Sequence, residues 1–241
     1  MTGAGRGIGR AVALDLARAG AKIALAARTV DELEHTATLI REEAGTALVL
    51  PTDVADAAQL DAAIRRTQEE LGTVEILVNN AAVVWPIAAS ATLEPDDWAA
   101  AIGINVTAAA RLSFAVLPGM LERGWGRLVN VSSGIASHPA GMLRANAYAT
   151  SKAALEAHTI NLAAELAGTG VTINAYRPGT VDTAMQGWIR AQDPYLIGAD
   201  LHDRFVGAHE QGALISPEQS SKSLLSRLSG DATGQIWDVN P

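Results

Sequence analysis

Tyr148 and Lys152 stand four residues apart in the segment AYATSKAALEAHTINLAAEL, whose composition and periodicity read as helix, so the two share a face. A free phenol, with a pKa of about 10, is a poor acid or base at neutral pH, and a neighbouring ammonium favours its ionised form. The pair can therefore make a usable acid/base. Only three tyrosines and three lysines occur in 241 residues, so this spacing is rare by chance. The bland alternative is an exposed helix pair contributing a few tenths of a kcal/mol. Gly3, Gly5, Gly7 and Gly9 crowd the start of the chain, and a helix-like stretch follows over residues 8–19. Such a loop lets backbone amides approach a pyrophosphate at the positive end of a helix. The strict G-x-G-x-x-G spacing fits in no register, whereas G-x-x-x-G-x-G fits Gly3, Gly7 and Gly9. A tight structural turn is the competing reading.

These residues need a frame. Short apolar segments at 22–27, 47–50, 76–79, 127–131, 171–175 and 235–239 read as strands, and helix-length segments separate them. Their near-continuous apolar character indicates a parallel sheet covered on both faces, and no linker or repeat interrupts the alternation. The expectation is one doubly wound α/β domain spanning residues 1–241. Thr29 with Glu32 predicts a capping box, Gly45 a helix end, and Ser216, Pro217 and Gln219 the start of a late helix. Residues 183–216 break the pattern: Trp188, Tyr195, Leu196, Leu201 and Phe205 sit among polar residues, forming a lid or a surface excursion.

Composition removes several classes of function. Eighteen Lys+Arg against 26 Asp+Glu leave a net charge of −8, with no run of five or more like charges, which argues against nucleic acid and anionic membranes as partners. No run of 18 apolar residues and no signal-like start are present, so a cytoplasmic location is expected. The absence of cysteine removes disulfides and thiolate chemistry. None of the five histidines has metal-ligand spacing, and no metal site is expected. His138 could touch substrate from the loop between Ser133 and Tyr148, or it is a solvated loop residue. Asn105 alone reads equally as a helix-interrupting residue, and Ser133 as a polar strand end.

Taken in order, six motifs resemble the short-chain dehydrogenase/reductase family in its single-domain form over nearly the whole chain. They are TGAGRGIG at 2–9, NNAA at 79–82, INV containing Asn105, VSS at 131–133, YATSK at 148–152 and RPGTVDT at 177–183. The resemblance implies a sheet ordered 3-2-1-4-5-6-7, a nicotinamide cofactor along its carboxyl edge, and a catalytic set of Asn105, Ser133, Tyr148 and Lys152. Ser133 fits the family position better than Ser132. It would hydrogen-bond the substrate oxygen while Tyr148 donates a proton during reduction. Lys152 would lower the tyrosine pKa and bind the nicotinamide ribose, and Asn105 would hold a water in a proton relay. The resemblance further implies that Gly3, Gly7, Ile8 and Gly9 cradle the cofactor. Asp53 would sit beside the adenine, Asn79 would stabilise the central sheet while contacting the ribose, Ala81 would bind cofactor, and Pro178, Gly179, Thr180 and Thr183 would touch the nicotinamide amide and pyrophosphate. Ala82 replaces the family's usual glycine.

In NAD-using relatives an acidic residue ends the second strand, but Ala27 stands there and Arg28 follows. Arg6 and Arg28 are therefore expected to flank a 2′-phosphate, making NADP(H) the cofactor. The expected activity is interconversion of a carbonyl and an alcohol, run as a reductase of 3-oxoacyl-carrier-protein or diketone/pterin type. An NAD-dependent alcohol dehydrogenase and a non-catalytic dinucleotide sensor are the alternatives. Trp188 and Tyr195 are candidate substrate walls. A homodimer or homotetramer is expected through the helices at 97–121 and 148–166. Because only Met1 and Thr2 precede Gly3, the family's central first strand is expected to be truncated, with about six residues of strand lying upstream.

Overall fold

The computed structural model describes residues 1–239. From the glycine loop the chain enters α1 (Gly7–Arg18), then β1 (Ile23–Ala27), α2 (Val30–Glu42), β2 (Ala47–Pro51), α3 (Ala57–Leu71) and β3 (Ile76–Asn79). The second half runs through α4 (Pro95–Ile102), a π-helical turn at Gly103–Thr107, α5 (Ala108–Arg123), β4 (Gly126–Val131), α6 (Asn146–Glu165) and β5 (Val171–Arg177). It closes with α7 (Ala184–Arg190), α8 (Pro194–Ile197), α9 (Ala199–Glu210), α10 (Pro217–Leu228) and β6 (Ile236–Asp238).

All paired strands among the described residues are parallel, and buried apolar side chains lie on both faces, as doubly wound α/β architecture requires. Val12 and Leu16 of α1, Leu33 and Ile40 of α2 and Leu224 of α10 form one layer against Leu25, Val78, Val129 and Tyr176. Leu60 of α3, Leu112, Val116 and Met120 of α5 and Leu162 of α6 form the other, against Leu77, Leu128 and Ile173. Leu128 and Val129 thus face opposite layers, following the two-residue period of a strand. By length and composition the rod at Pro95–Arg123 could cross a membrane. Here its apolar stripe packs on the sheet, and its outer Arg111 donates to Asp61 at 3.0 Å.

The sheet departs from the single seven-stranded order that the resemblance implies. It consists of a pair, β1-β2, and a four-stranded set, β3-β4-β5-β6. Met1–Ala4 lie between them, where the family's first strand would run. The Met1 ammonium donates to Ala24 O at 3.0 Å and Ala26 N to Met1 O at 3.0 Å, while Thr2 N donates to Val78 O at 3.1 Å. Two residues thus bridge β1 and β3, too few to form a ladder.

Local signals fare unevenly. Ser216 and Gln219 form the reciprocal capping box expected of them. Thr29 occupies the N-cap of α2 without a side-chain bond, and the Glu32 carboxylate, the other half of the expected box, accepts from Arg6. At the end of α2 the left-handed residue is Ala44 (φ 61°), and Gly45 supplies the close approach to Ile40. The irregular 183–216 stretch is helical, and Ile215 roots it through hydrogen bonds with Thr180 and Asp182.

The α10 helix is tied to the functional edge through Tyr176, which is fully buried and donates its hydroxyl to Ser220 O at 2.7 Å, while Ser220 Oγ donates to Pro178 O. Tyr176→Phe removes this buried hydrogen bond while Ser220 O keeps its place in the α10 ladder. It is expected to cost about 0.5–1.5 kcal/mol and to lower Tm by about 2–4 °C per kcal/mol. Thermal unfolding at matched protein concentration tests this, and an unchanged Tm contradicts it.

Candidate active site

A cavity of about 890 Å³ runs along the carboxyl ends of the strands, from the glycine loop and Arg28 to Ser133, Tyr148 and the α7–α9 insert. Gly3 (φ 63°) and Gly7 (φ 53°) take left-handed conformations. A Cβ on Gly9 would fall 2.0 Å from Gly3 O, so only glycine permits the crossing of loop and helix. Arg6, at the N-cap of the 12-residue α1, makes no side-chain cap bond, and α1 has no acid in its first turn. The first-turn amides beside Ile8 therefore keep their positive field toward the cavity. Uncapped amides, a glycine cradle and cations at both ends fit a phosphate-bearing dinucleotide.

At the opposite end α6 lies across the strand termini. Tyr148 is 8% exposed, and burial pushes its phenol pKa upward, opposed by a hydrogen bond with Ser133. Lys152 is 2% exposed, and its Nζ donates to Val131 O at 2.7 Å and lies 5.7 Å from the Tyr148 ring centroid. Burial lowers its pKa to about 8, against the raising influence of Glu156. The ammonium lies over the Tyr148 ring and is held there by the backbone carbonyl. Ser133 caps a short 3-10 turn, whereas Ser132 Oγ is buried and donates to Glu156 at 2.7 Å. Both serines line the cavity, and that bond engages the hydroxyl of the first.

Asn105 occupies the π-helical turn. Its Oδ1 accepts from Val83 N at 2.8 Å, and its Nδ2 donates to Val83 O at 2.8 Å and Ser151 Oγ at 2.9 Å. Both amide protons are thus spent on bracing the post-β3 loop against α6, and one Oδ1 lone pair remains.

Gly3, Arg6, Gly7, Ile8, Gly9, Arg28, Asp53 and Ala81 line the cavity, as do Pro178, Gly179, Thr180 and Thr183. Asn79 does not. Its Nδ2 points into the core, donating to Ala109 O, Ser113 Oγ and Asn130 Oδ1, because β3 alternation turns it away from the cleft. The neighbouring Asn80 lines the cavity instead, donating to Thr2 O at 3.1 Å and Gly3 O at 3.2 Å and so fixing the glycine loop. The NNAA motif carries that signal, one position along.

At the substrate end His138 and Trp188 line the cavity, joined by Met142, Met185, Ile189, Arg204 and Phe205. Tyr195 does not join them. It is 91% exposed, because Asp193 caps its amide at 2.8 Å and Arg144 grips the carbonyls of Tyr195 and Leu196 at 2.7 and 2.8 Å. The largest miss is Glu32, which lines the cavity beside Arg28 and accepts from Arg6 at 3.1 Å. Only its distance in sequence from Ala27 hides it. Among the described residues no cluster of three metal-ligating side chains occurs.

A glycine-cradled anion site, joined by one cleft to a partly exposed serine and a buried tyrosine and lysine, defines a dinucleotide-dependent oxidoreductase fold. The family model for short chain dehydrogenases matches residues 1–194, and the chain belongs to the short-chain dehydrogenase/reductase family. It is 39% identical over 190 residues to a short chain dehydrogenase of Pseudocercospora fijiensis, a match covering 77% of this chain and 60% of that protein. It is 35% identical over 185 residues to the 3-oxoacyl-[acyl-carrier-protein] reductase FabG of Pseudomonas aeruginosa, covering 77% and 74%. Among solved structures it is similar to a single-substitution variant of actinorhodin polyketide ketoreductase with NADPH (TM-score 0.87, 31% identity, 99% and 93% covered). It is also similar to NAD+-bound xylitol dehydrogenase (TM-score 0.86, 27% identity, 98% and 95% covered).

The two asparagines separate by experiment. Asn79→Ala is expected to lower Tm while leaving dinucleotide Kd within about threefold, since it removes core hydrogen bonds alone. Asn80→Ala is expected to raise Kd by about tenfold or more through a loosened glycine loop. Calorimetry of both variants checks the crossover, and equal effects on Kd contradict it.

Proposed function

We propose that this chain is an NADP(H)-dependent carbonyl reductase using Ser133, Tyr148 and Lys152, with Asn105 as the brace of the site. The observation that carries the reading is the joining of those three side chains to the glycine-loop anion site within one cleft. A bound nicotinamide supplies the hydride that the chain's own side chains cannot. Ser133 and Tyr148 line the same cleft and Ser133 influences the phenol, so a carbonyl oxygen placed between the two hydroxyls can accept from both. Burial keeps the phenol protonated at neutral pH, which suits a proton donor to the developing alkoxide and hence the reductive direction. Lys152 provides the nearby positive charge.

The substrate reading is a hydrophobic ketone of 3-oxoacyl or diketone/pterin type, supported by Trp188, Ile189, Met142 and Phe205 along the cleft and by the similarity to FabG. Cofactor preference rests on Arg28, which lines the adenosine end where Ala27 removes the usual acid. Glu32, tied to Arg6, favours the second reading, an NAD-dependent alcohol dehydrogenase. A homodimer or homotetramer is proposed through α5 and α6, whose Phe114, Leu121 and Ile160 are exposed. A cytoplasmic site of action is proposed on composition alone.

Tyr148→Phe is expected to bind dinucleotide normally and to reduce ketone turnover by about 100-fold or more; a loss under about threefold removes the phenol from the reaction. Because Lys152 is pushed down to about 8, its ammonium is lost as pH rises through that value, so kcat/KM is expected to be flat below pH 8 and to fall above it. A profile that rises through pH 8–9 contradicts the requirement for the ammonium.

Arg28→Ala is expected to weaken NADPH by about 10–100-fold relative to NADH, the scale of a charged hydrogen bond. Glu32→Gln, which frees Arg6, is expected to move the ratio toward NADPH. An unchanged ratio in Arg28→Ala sinks the NADP assignment in favour of NAD.

A further inference from the structure

Beneath the cleft lies a polar cluster that neither substrate nor dinucleotide needs to touch. Glu156 is one helical turn beyond Lys152 on α6 and is buried. Its Oε1 accepts from Ser132 Oγ at 2.7 Å and from Arg177 Nε at 2.8 Å, and its Oε2 accepts from the second Arg177 nitrogen at 2.8 Å. Arg177 opens the RPGTVDT motif, and its other nitrogen lies 3.8 Å from Asp238 on β6. Lys152, Glu156, Arg177 and Asp238 therefore alternate in sign from the floor of the cleft to the surface. The titratable groups around this part of α6 are Tyr148 and Glu156 on the helix, Arg177 on β5 and Asp238 on β6.

The geometry grips one short segment from two sides. Val131 O accepts from Lys152 Nζ at 2.7 Å, Ser132 Oγ donates to Glu156, and Ser132 N donates to Tyr176 O at 2.7 Å. Ser133 follows immediately, so its place in the cleft is set by the pair of bonds that α6 makes to the two preceding residues. A buried carboxylate with a bidentate guanidinium gives weak support to stability, since apolar replacements of such pairs are often neutral. Its geometric and electrostatic consequences for the neighbours are larger.

We propose that Glu156, fixed by Arg177, is a positioning residue for the reaction: through Ser132 it sets the placement of Ser133, and it supplies the counter-charge of the buried Lys152 ammonium. The inference rests on the catalytic reading of Ser133, Tyr148 and Lys152. Its support from electrostatics is the raising influence of Glu156 on Lys152, opposed to burial.

The test uses Glu156→Gln, Ser132→Ala and the double variant Glu156→Leu with Arg177→Leu, which removes both charges together and avoids an orphaned buried ion. Three readouts are taken: Tm, ketone kcat and KM against pH, and the titration of the Lys152 amine by nitrogen NMR, which does not depend on turnover. With three lysines in the chain, Lys152→Arg assigns the resonance. Glu156→Gln and the double variant are expected to lower kcat at pH 8 by about tenfold, to leave the dinucleotide KM within about threefold, and to move the alkaline limb and the Lys152 titration together to lower pH. Ser132→Ala is expected to lower kcat without moving the titration. Restoring the carboxylate in Glu156→Asp is expected to recover part of the pH profile. Folded variants with wild-type kcat and Lys152 titration overturn the proposal. Should Tyr148→Phe retain full turnover, the catalytic reading fails, and the NMR titration still decides whether Glu156 sets the charge of Lys152.

Discussion

The reactive end of this protein depends on a buried ammonium bonded to the end of a strand. Lys152 is almost wholly buried, and its Nζ donates to Val131 O at 2.7 Å. An ammonium in such a place is costly unless paired and hydrogen-bonded; the Val131 carbonyl supplies the hydrogen bond, and Glu156 four residues along partly opposes the effect of burial. Tyr148, Lys152 and Glu156 recur at one-turn intervals on α6, so docking that single helix against β4 and β5 places phenol, cation and counter-charge in one operation. Asn105 then fixes the helix to the loop after β3 through Ser151 and Val83. The π-helical turn at Gly103–Thr107 is the local distortion that brings Asn105 to that junction.

The adenosine end follows a different logic. Glycine geometry and uncapped amides make an anion site independent of any side chain, while the proposed selectivity falls to the exposed Arg6 and Arg28 and the half-buried Glu32. Arg6 is drawn to Glu32 across a partly exposed ion pair, which solvent screens and which contributes little to stability. Such a pair is exchangeable, so a phosphate arriving at this corner competes with a carboxylate for the same guanidinium.

Much of this is legible in the sequence because the signals are local or carried by periodicity. Each expected strand forms, and the Ser216 capping box closes as its spacing requires. What escapes the sequence depends on tertiary contact. Glu32 reads as a capping residue until α2 is placed against the glycine loop, where its carboxylate accepts from Arg6. Asn79 and Asn80 are adjacent, and only the phase of β3 decides which faces the cleft. Tyr195 reads as a substrate wall in sequence, but the Arg144 clasp on two carbonyls turns α8 outward. The split of the sheet follows from the two residues that bridge β1 and β3, whereas the order of strands on either side agrees with the family pattern.

The proposed carbonyl reduction requires a carbonyl oxygen lodged between the Ser133 hydroxyl and the Tyr148 phenol. The most direct measurement is a crystal structure of the protein with oxidised dinucleotide and a bound ketone, an unreactive pairing. The carbonyl oxygen is expected at hydrogen-bond distance, about 2.6–3.2 Å, from both Ser133 Oγ and the Tyr148 oxygen, with Lys152 still on Val131 O. A ketone bound in the cleft with its oxygen directed to other groups, or a Ser133 turned away while Ser132 faces the substrate, would contradict that placement.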